Sequence, residues 1–250
     1  MPGSRTKPEL MKNSEALQSA SGRRDDEVEL SHVEGWLPPL LSVIAGMVDL
    51  IGFFTLGNIF TAHVTGNLVL AAGAAVRGGL LNLTQALAIP VFMIAVAAVW
   101  LIARASNRRG RALARLLLLT QFLLLAATLI FSAVTRPSAS PHGLTAGIAA
   151  MIAVAAMACQ FALLRLAVPG AVSTAVMTGN LTNAVLSLMD MFAVGRPMMT
   201  ADAGRLKGSL HLLLGFLAGC FLAAAAISLL GEEWAWSFPV ALAGVALAIR

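Results

Sequence analysis

Long apolar runs separated by short polar connections cover the chain from residue 37 to its end. A helix needs about 20 apolar residues to cross the roughly 30 Å hydrocarbon core of a bilayer. The pattern therefore predicts an all-α fold, a polytopic membrane helical bundle. Six runs meet or approach the required length: 37–56, 82–103, 113–134, 144–165, 208–230 and 235–249.

Two further apolar stretches, 59–76 and 172–194, each contain the tripeptide Thr-Gly-Asn. Glycine lets a helix break, and Thr and Asn supply donors and acceptors that can satisfy the freed amide groups or a bound solute. We expect both stretches to be re-entrant or discontinuous helices, which leaves about six spans. The alternative is eight spans, in which both stretches cross the bilayer.

The positions of the 17 Lys and Arg residues bear on this choice, because cytoplasmic loops of membrane proteins are enriched in basic residues. With six spans and a cytoplasmic N-terminus, only Arg77 and Arg136 lie outside. With eight spans, the dense basic connection between residues 104 and 115 would lie outside. The distribution favours six spans, with both termini cytoplasmic.

The chain also repeats itself at a shift of 113 residues. The shift defines repeat one as residues 37–135 and repeat two as residues 143–250, with three spans each. An odd number of spans places the second repeat upside down relative to the first, as in many transporters, whereas eight spans would make the repeats parallel. The matched pairs are Thr61 and Thr174, Ala62 and Ala175, Thr65 and Thr178, Gly66 and Gly179, Asn67 and Asn180, and Leu68 and Leu181.

Composition agrees with a membrane protein, since 58% of residues are hydrophobic, 12% are charged and the mean hydropathy is +0.84. Residues 1–36 differ, because acidic and basic residues alternate there without an apolar run. We predict a disordered cytoplasmic tail at 1–36, without a cleaved signal, followed by a transmembrane domain at 37–250.

The net charge of +5 comes from short connections between apolar runs, so it does not predict a nucleic-acid partner. Cys159 and Cys220 each lie alone in an apolar run, which predicts neither a disulfide nor a metal site. We expect no cofactor. Gly215 and Gly219 have the spacing of a small-residue face, suited to close helix contact within the fold or in a homo-oligomer.

Polar residues inside apolar runs are the candidate functional groups, because a buried ionisable side chain needs a partner, a water-filled cavity or a function. Asp49 lies well inside the first run, and Arg165 is a candidate partner unless it reaches the headgroups. Asp49 could also cap a half-helix, and the Thr-Gly-Asn residues could either meet at a common centre or only bond helices together. The candidate pathway residues are Asp49, His63, Thr65, Asn67, Gln160, Arg165, Thr178 and Asn180.

Two segments carry a family resemblance: "GMVDLIGFFTLGNIFTAHVTGNLVL" from Gly46 and "AMACQFALLRLAVPGAVSTAVMTGNL" from Ala156. They resemble the signature regions of the YoaK-like bacterial membrane proteins, a domain-of-unknown-function family. Phe161 stands where that pattern carries a polar residue. The resemblance implies a polytopic inner-membrane protein of about six spans and no established substrate.

These features predict a transporter or channel for a small polar or ionic solute, with a path between the repeats. The alternative is an assembly or sensing protein of the lipid bilayer that transports nothing. A membrane-embedded enzyme is a third reading, but the sequence lacks a nucleophile with a base, a metal motif or paired intramembrane acids. We therefore expect a protein that is not an enzyme.

Overall fold

The computed structural model describes residues 35–76, 83–168, 173–174, 177–192 and 200–249. The chain divides into a first unit, Met1–Leu37, and a second unit, Pro38–Arg250. Of the first unit, only residues 35–37 are described, and they are helical. The predicted tail therefore lies outside the described residues, apart from its last two.

The described residues are helical or connect helices, and they contain no β-strand. Two short 3-10 helices, Pro137–Ala139 and Trp234–Trp236, precede α5 and α8. The predicted all-α bundle is confirmed. The helices are α1 Gly35–Thr55, α2 Gly66–Val76, α3 Leu83–Ala105, α4 Gly110–Thr135, α5 Leu144–Ala167, α6 Met177–Phe192, α7 Thr200–Leu230 and α8 Ser237–Ala248.

Five of these helices, α1, α3, α4, α5 and α7, are long and apolar enough to cross a membrane. This length confirms a polytopic membrane protein. Helix α8 is shorter, even when counted with the 3-10 turn before it, as Trp234–Ala248. Helix α2 has 11 residues, which at a rise of about 1.5 Å per residue cannot cross a core of about 30 Å.

Helices α1 and α5 form the centre of the bundle. In each, 67% of the apolar stretch is buried, against 11% in α3 and 28% in α7. Helices α3 and α4 pack against α5, α6 packs against α7, α8 packs against α4, and α2 packs against α3. Buried alanines along α5 leave room for these close contacts, since small side chains let helix backbones approach each other in a membrane.

Helices α1 and α7 cross at very short range. A Cβ atom added at Gly46 would meet the carbonyl oxygen of Phe216, and one added at Gly219 would meet the carbonyl oxygen of Val43. The Ser42 hydroxyl also donates to the carbonyl oxygen of Leu212, at 2.7 Å. Gly219 therefore serves contact within the fold. The two helices run parallel, because their contacts advance together: Pro39 meets Gly215, Val43 meets Gly219, and Gly46 meets Cys220.

One end of the bundle, which we call the Gly57 end, gathers the end of α1 and the starts of α3 and α5. Gly57, at φ +81°, lies so close to the Pro141 carbonyl oxygen that a Cβ atom would collide with it. The Gln85 side-chain amide, near the start of α3, donates to the carbonyl oxygen of Asn58 at 3.1 Å. Helix α1 therefore runs antiparallel to both α3 and α5.

Candidate functional site

Asp49 lies in α1, about one and a half turns before the helix ends at Thr55, and its residue surface is 3% exposed. After α1 the chain reverses through two residues of positive φ, Gly57 at +81° and Asn58 at +58°. It then runs back beside the last turns of α1. We call residues 56–65, which form no helix, the return segment. Gly52 makes room for it, since a Cβ atom there would lie 3.1 Å from Thr61 Cγ2.

The Asp49 carboxylate holds the return segment at this depth. Its Oδ1 atom accepts the backbone N–H of Thr61 at 2.7 Å and that of Ala62 at 2.6 Å. Longer contacts reach the Thr61 hydroxyl at 3.3 Å and the His63 N–H at 3.4 Å. The carboxylate therefore compensates for backbone donors that leave helical pairing inside the bundle, as buried polar groups require.

The second carboxylate oxygen, Oδ2, lies 2.6 Å from His63 Nδ1. Two such atoms come this close only with a proton between them, and we assign that proton to Nδ1, which makes His63 the donor and the carboxylate the acceptor. The Phe216 ring of α7 packs edge-on against the imidazole, with centroids 4.9 Å apart. Atom Nε2 is enclosed and has no hydrogen-bond partner within the described part of the chain. In the neutral imidazole this nitrogen is an available acceptor.

The two Thr-Gly-Asn tripeptides make the same local bond. The Asn67 side-chain amide donates to the Phe60 carbonyl oxygen at 2.7 Å, and its Oδ1 atom accepts the Phe60 N–H at 2.9 Å. The Asn180 side-chain amide donates to the Ser173 carbonyl oxygen at 2.9 Å. In both halves the asparagine reaches back seven residues to the non-helical backbone that precedes its own helix.

The companion threonines of the tripeptides, Thr65 and Thr178, are exposed. The asparagines bond their own segments, as described above, so the four Thr-Gly-Asn side chains are not joined to one another by the bonds the structure shows. Two other threonines that the internal repeat matches, Thr61 and Thr174, are buried. The tripeptides thus shape the two non-helical segments, and Asp49 with His63 forms the polar centre of the first one.

Gln160 belongs to a separate buried polar link through α4, α5 and α1. Its amide nitrogen donates to the Leu41 carbonyl oxygen at 2.9 Å, and its Oε1 atom accepts from Gln121 Nε2 at 2.8 Å. Both glutamines are fully buried. Arg165 is exposed in the last turn of α5 and is not among the partners of Asp49. The expected Asp49–Arg165 pair is replaced by the bond between Asp49 and His63.

A family model described as "Protein of unknown function (DUF1275)" matches residues 37–249. The chain belongs to the DUF1275 family. The resemblance to YoaK-like membrane proteins is thereby confirmed. A curated relative, the "UPF0700 transmembrane protein YoaK" of Bacillus subtilis (strain 168), is 45% identical over 51 residues, which is 19% of this chain and 23% of the relative. The chain thus matches less than a quarter of that relative's length. No solved structure matches the chain.

Hydrogen-bond donors and acceptors make up the polar site of this DUF1275 protein. The described residues hold no group of three His, Cys, Asp or Glu side chains placed for a metal ion. Cys159 and Cys220 are free thiols. The site offers a carboxylate already bonded to backbone amides, an imidazole with one enclosed nitrogen, and a helix backbone interrupted nearby.

Two side chains of the DUF1275 interior were not among the sequence candidates. Gln121 is the single amide side chain in the apolar run 113–134, and the sequence therefore offered a signal for it. Phe216, which covers His63, carried no signal, because one aromatic residue in an apolar helix is ordinary core. Backbone N–H groups of Thr61 and Ala62 are as important to Asp49 as any side chain, and a sequence pattern does not show them.

Proposed function

We propose that this protein is a transporter or channel of the bacterial inner membrane for a small polar or ionic solute. Its polar site lies where the return segment meets α1, beside Asp49 and His63. The observation that carries the proposal is the hydrogen-bonded pair of Asp49, inside a long apolar helix, and His63, in the interrupted backbone beside it. Intramembrane ionisable groups and broken helices both mark solute sites in transporters.

Six spans are supported by the contacts at the Gly57 end. Helix α1 ends there and α3 begins there, since Gln85 bonds the Asn58 carbonyl. The chain between them therefore enters and leaves on one side, which supports a re-entrant segment that includes α2. Helix α5 runs antiparallel to α1, whereas α7 runs parallel to α1. The chain between α5 and α7, which includes α6, likewise starts and finishes at the opposite end of the bundle.

Inverted repeats are supported by the pattern of helix contacts. Exchanging the halves replaces α1 with α5, α2 with α6, α3 with α7 and α4 with α8. Helix α7 packs on α1, as its equivalent α3 packs on α5. Helix α6 packs on α7, as its equivalent α2 packs on α3. Helices α4 and α8 are equivalent to each other, and they pack together. The equivalent central helices α1 and α5 are antiparallel, as upside-down halves require.

The charge pattern supports a cytoplasmic location for the end opposite Gly57. Helix α1 begins at that end, and α8 runs towards it, because the Ser138 hydroxyl donates to Glu233 Oε1 at 2.5 Å and so joins the connection before α8 to the Gly57 end. The basic connection between α3 and α4 also lies at the opposite end. By the positive-inside rule this end faces the cytoplasm together with both termini.

Solute flux in proteoliposomes tests the function. We expect at least one of glycerol, urea, ammonium chloride and potassium chloride to enter protein-containing vesicles faster than protein-free vesicles, as measured by light scattering after osmotic shock. Asp49→Asn should lower that flux by about tenfold, the effect of losing roughly 1.4 kcal/mol from a charge-assisted contact. Asp190→Asn, which changes an exposed carboxylate of α6, is the matched control and should leave flux unchanged.

Two results would count against this function. Flux that responds equally to Asp49→Asn and Asp190→Asn would remove the buried carboxylate from the path. Vesicles as tight as protein-free ones to every probe, with correctly folded and inserted protein, would favour the alternative of an assembly or sensing protein.

A further inference from the structure

Five arginines lie in and around the turn between α3 and α4, and the sequence of residues 83–135 contains no Asp or Glu. Arg104 is in the last turn of α3, and Arg115 is in the second turn of α4. Four of the five are exposed, and Arg111 is half-buried. We call this set the arginine cluster: Arg104, Arg108, Arg109, Arg111 and Arg115.

The residues around the arginine cluster are of the kinds expected at the depth of lipid headgroups. Trp100, one turn before Arg104, is 45% exposed, and Arg104 Cζ lies 4.8 Å from the centroid of its ring. Tryptophan concentrates at the membrane–water interface, so this stacked pair marks that level on α3. The neighbouring side chains Leu101 and Ile102 are also exposed, as lipid-facing residues are. Positive charge thus adjoins exposed apolar side chains.

We propose that the arginine cluster binds the headgroup of an anionic phospholipid. Guanidinium groups bind phosphate oxygens through paired hydrogen bonds, and several of them converge here on one short turn. Each basic residue near an anionic membrane surface contributes on the order of a fivefold gain in lipid affinity. A lipid satisfies both parts of the surface, because its phosphate meets the arginines while its acyl chains cover Leu101 and Ile102.

The lipid-binding inference does not depend on solute transport. It requires only that the turn between α3 and α4 lies at a membrane surface, whichever leaflet that is. A soluble polyanion would satisfy the charge but not the adjoining apolar side chains. The charge of the cluster and its position beside exposed apolar residues therefore favour a phospholipid as the occupant.

Fluorescence quenching by brominated lipids tests the proposal at the site itself. The full chain is reconstituted in phosphatidylcholine vesicles that contain either brominated phosphatidylglycerol or brominated phosphatidylcholine at equal bromine content. The fluorescence of Trp100 is obtained by subtracting the emission of the Trp100→Phe variant from that of the native chain. We expect phosphatidylglycerol to occupy the site next to Trp100 with about tenfold or greater preference over phosphatidylcholine. Salt at about 0.5 M should weaken this preference, because it screens the arginine charges.

The triple variant Arg104→Gln, Arg108→Gln and Arg109→Gln should reduce this preference to near unity. The matched control removes three basic residues elsewhere, through Arg136→Gln, Arg165→Gln and Lys207→Gln, and should keep it. Circular dichroism verifies that both variants are folded. Equal quenching of the native chain by the two brominated lipids, or equal loss of preference in both triple variants, would overturn the proposal and reduce the cluster to a determinant of topology.

Discussion

Replacing Gly219 with alanine is expected to lower the free energy of unfolding by about 2–3 kcal/mol. The new methyl group would meet the carbonyl oxygen of Val43 on α1. That oxygen belongs to a helix backbone, so no side-chain rotation can relieve the collision and the two helices must separate. Separation also lengthens the bond from the Ser42 hydroxyl to the Leu212 carbonyl. The unfolding midpoint in detergent, followed by circular dichroism, gives the loss.

Gly204→Ala is the matched control for this prediction, because Gly204 lies in the same helix and a Cβ atom there has nothing within 4 Å. Alanine in a helix interior is favoured over glycine, so this variant should be neutral or more stable by up to about 1 kcal/mol. Similar losses in the two variants would mean that helix α7 does not cross α1 as closely as the structure indicates.

Replacing Asp49 with alanine should cost about 2–4 kcal/mol of stability, since the buried N–H groups of Thr61 and Ala62 lose their acceptor and His63 loses its partner. Asparagine should cost clearly less. It retains an oxygen for the two backbone donors, and its amide can donate to His63 Nδ1 once the imidazole carries its proton on Nε2. The same detergent unfolding experiment compares the two variants.

The contrast between these two substitutions isolates the role of the carboxylate oxygen. If Asp49→Ala and Asp49→Asn destabilise the protein equally, the charge of Asp49 stabilises the fold. In that case its hydrogen bonds to the return segment contribute nothing to stability. If neither destabilises it, the return segment is held by other contacts, such as the bond between Asn67 and Phe60.

The positions of the long helices could be predicted from hydropathy, because burial in lipid requires a minimum apolar length. Their ends were less predictable. Helix α4 begins at Gly110 rather than near residue 113, and α7 begins at Thr200 rather than near residue 208. In both cases the helix extends into polar sequence with basic residues, which a helix tolerates outside the hydrocarbon core and which a search for apolar runs excludes.

The partner of Asp49 could not be predicted in the same way. A charged residue suggests a charged partner, and Arg165 was the visible choice in the opposite repeat. The structure instead uses backbone amides and a histidine 12 to 14 residues further along the chain. That solution depends on the reversal at Gly57 and Asn58, and on the room that Gly52 leaves beside α1. These are tertiary conditions that the spacing of polar residues does not reveal.

The most direct test of the central claim, two upside-down halves with re-entrant segments, is the sidedness of single cysteines in a chain carrying Cys159→Ala and Cys220→Ala. Cysteines replace five exposed residues: Val76, Arg108, Ser140, Lys207 and Glu232. An impermeant maleimide is added to intact cells or to inverted membrane vesicles.

We predict that residues 76, 140 and 232 react in intact cells, and that residues 108 and 207 react only in inverted vesicles. The grouping of 76, 140 and 232 on one side and of 108 and 207 on the other tests the inverted halves, and the side on which each group reacts tests the orientation. The contradicting result is labelling of residues 108 and 207 from opposite sides of the membrane, together with labelling of 76 and 232 from opposite sides. That pattern would show eight spans and parallel halves.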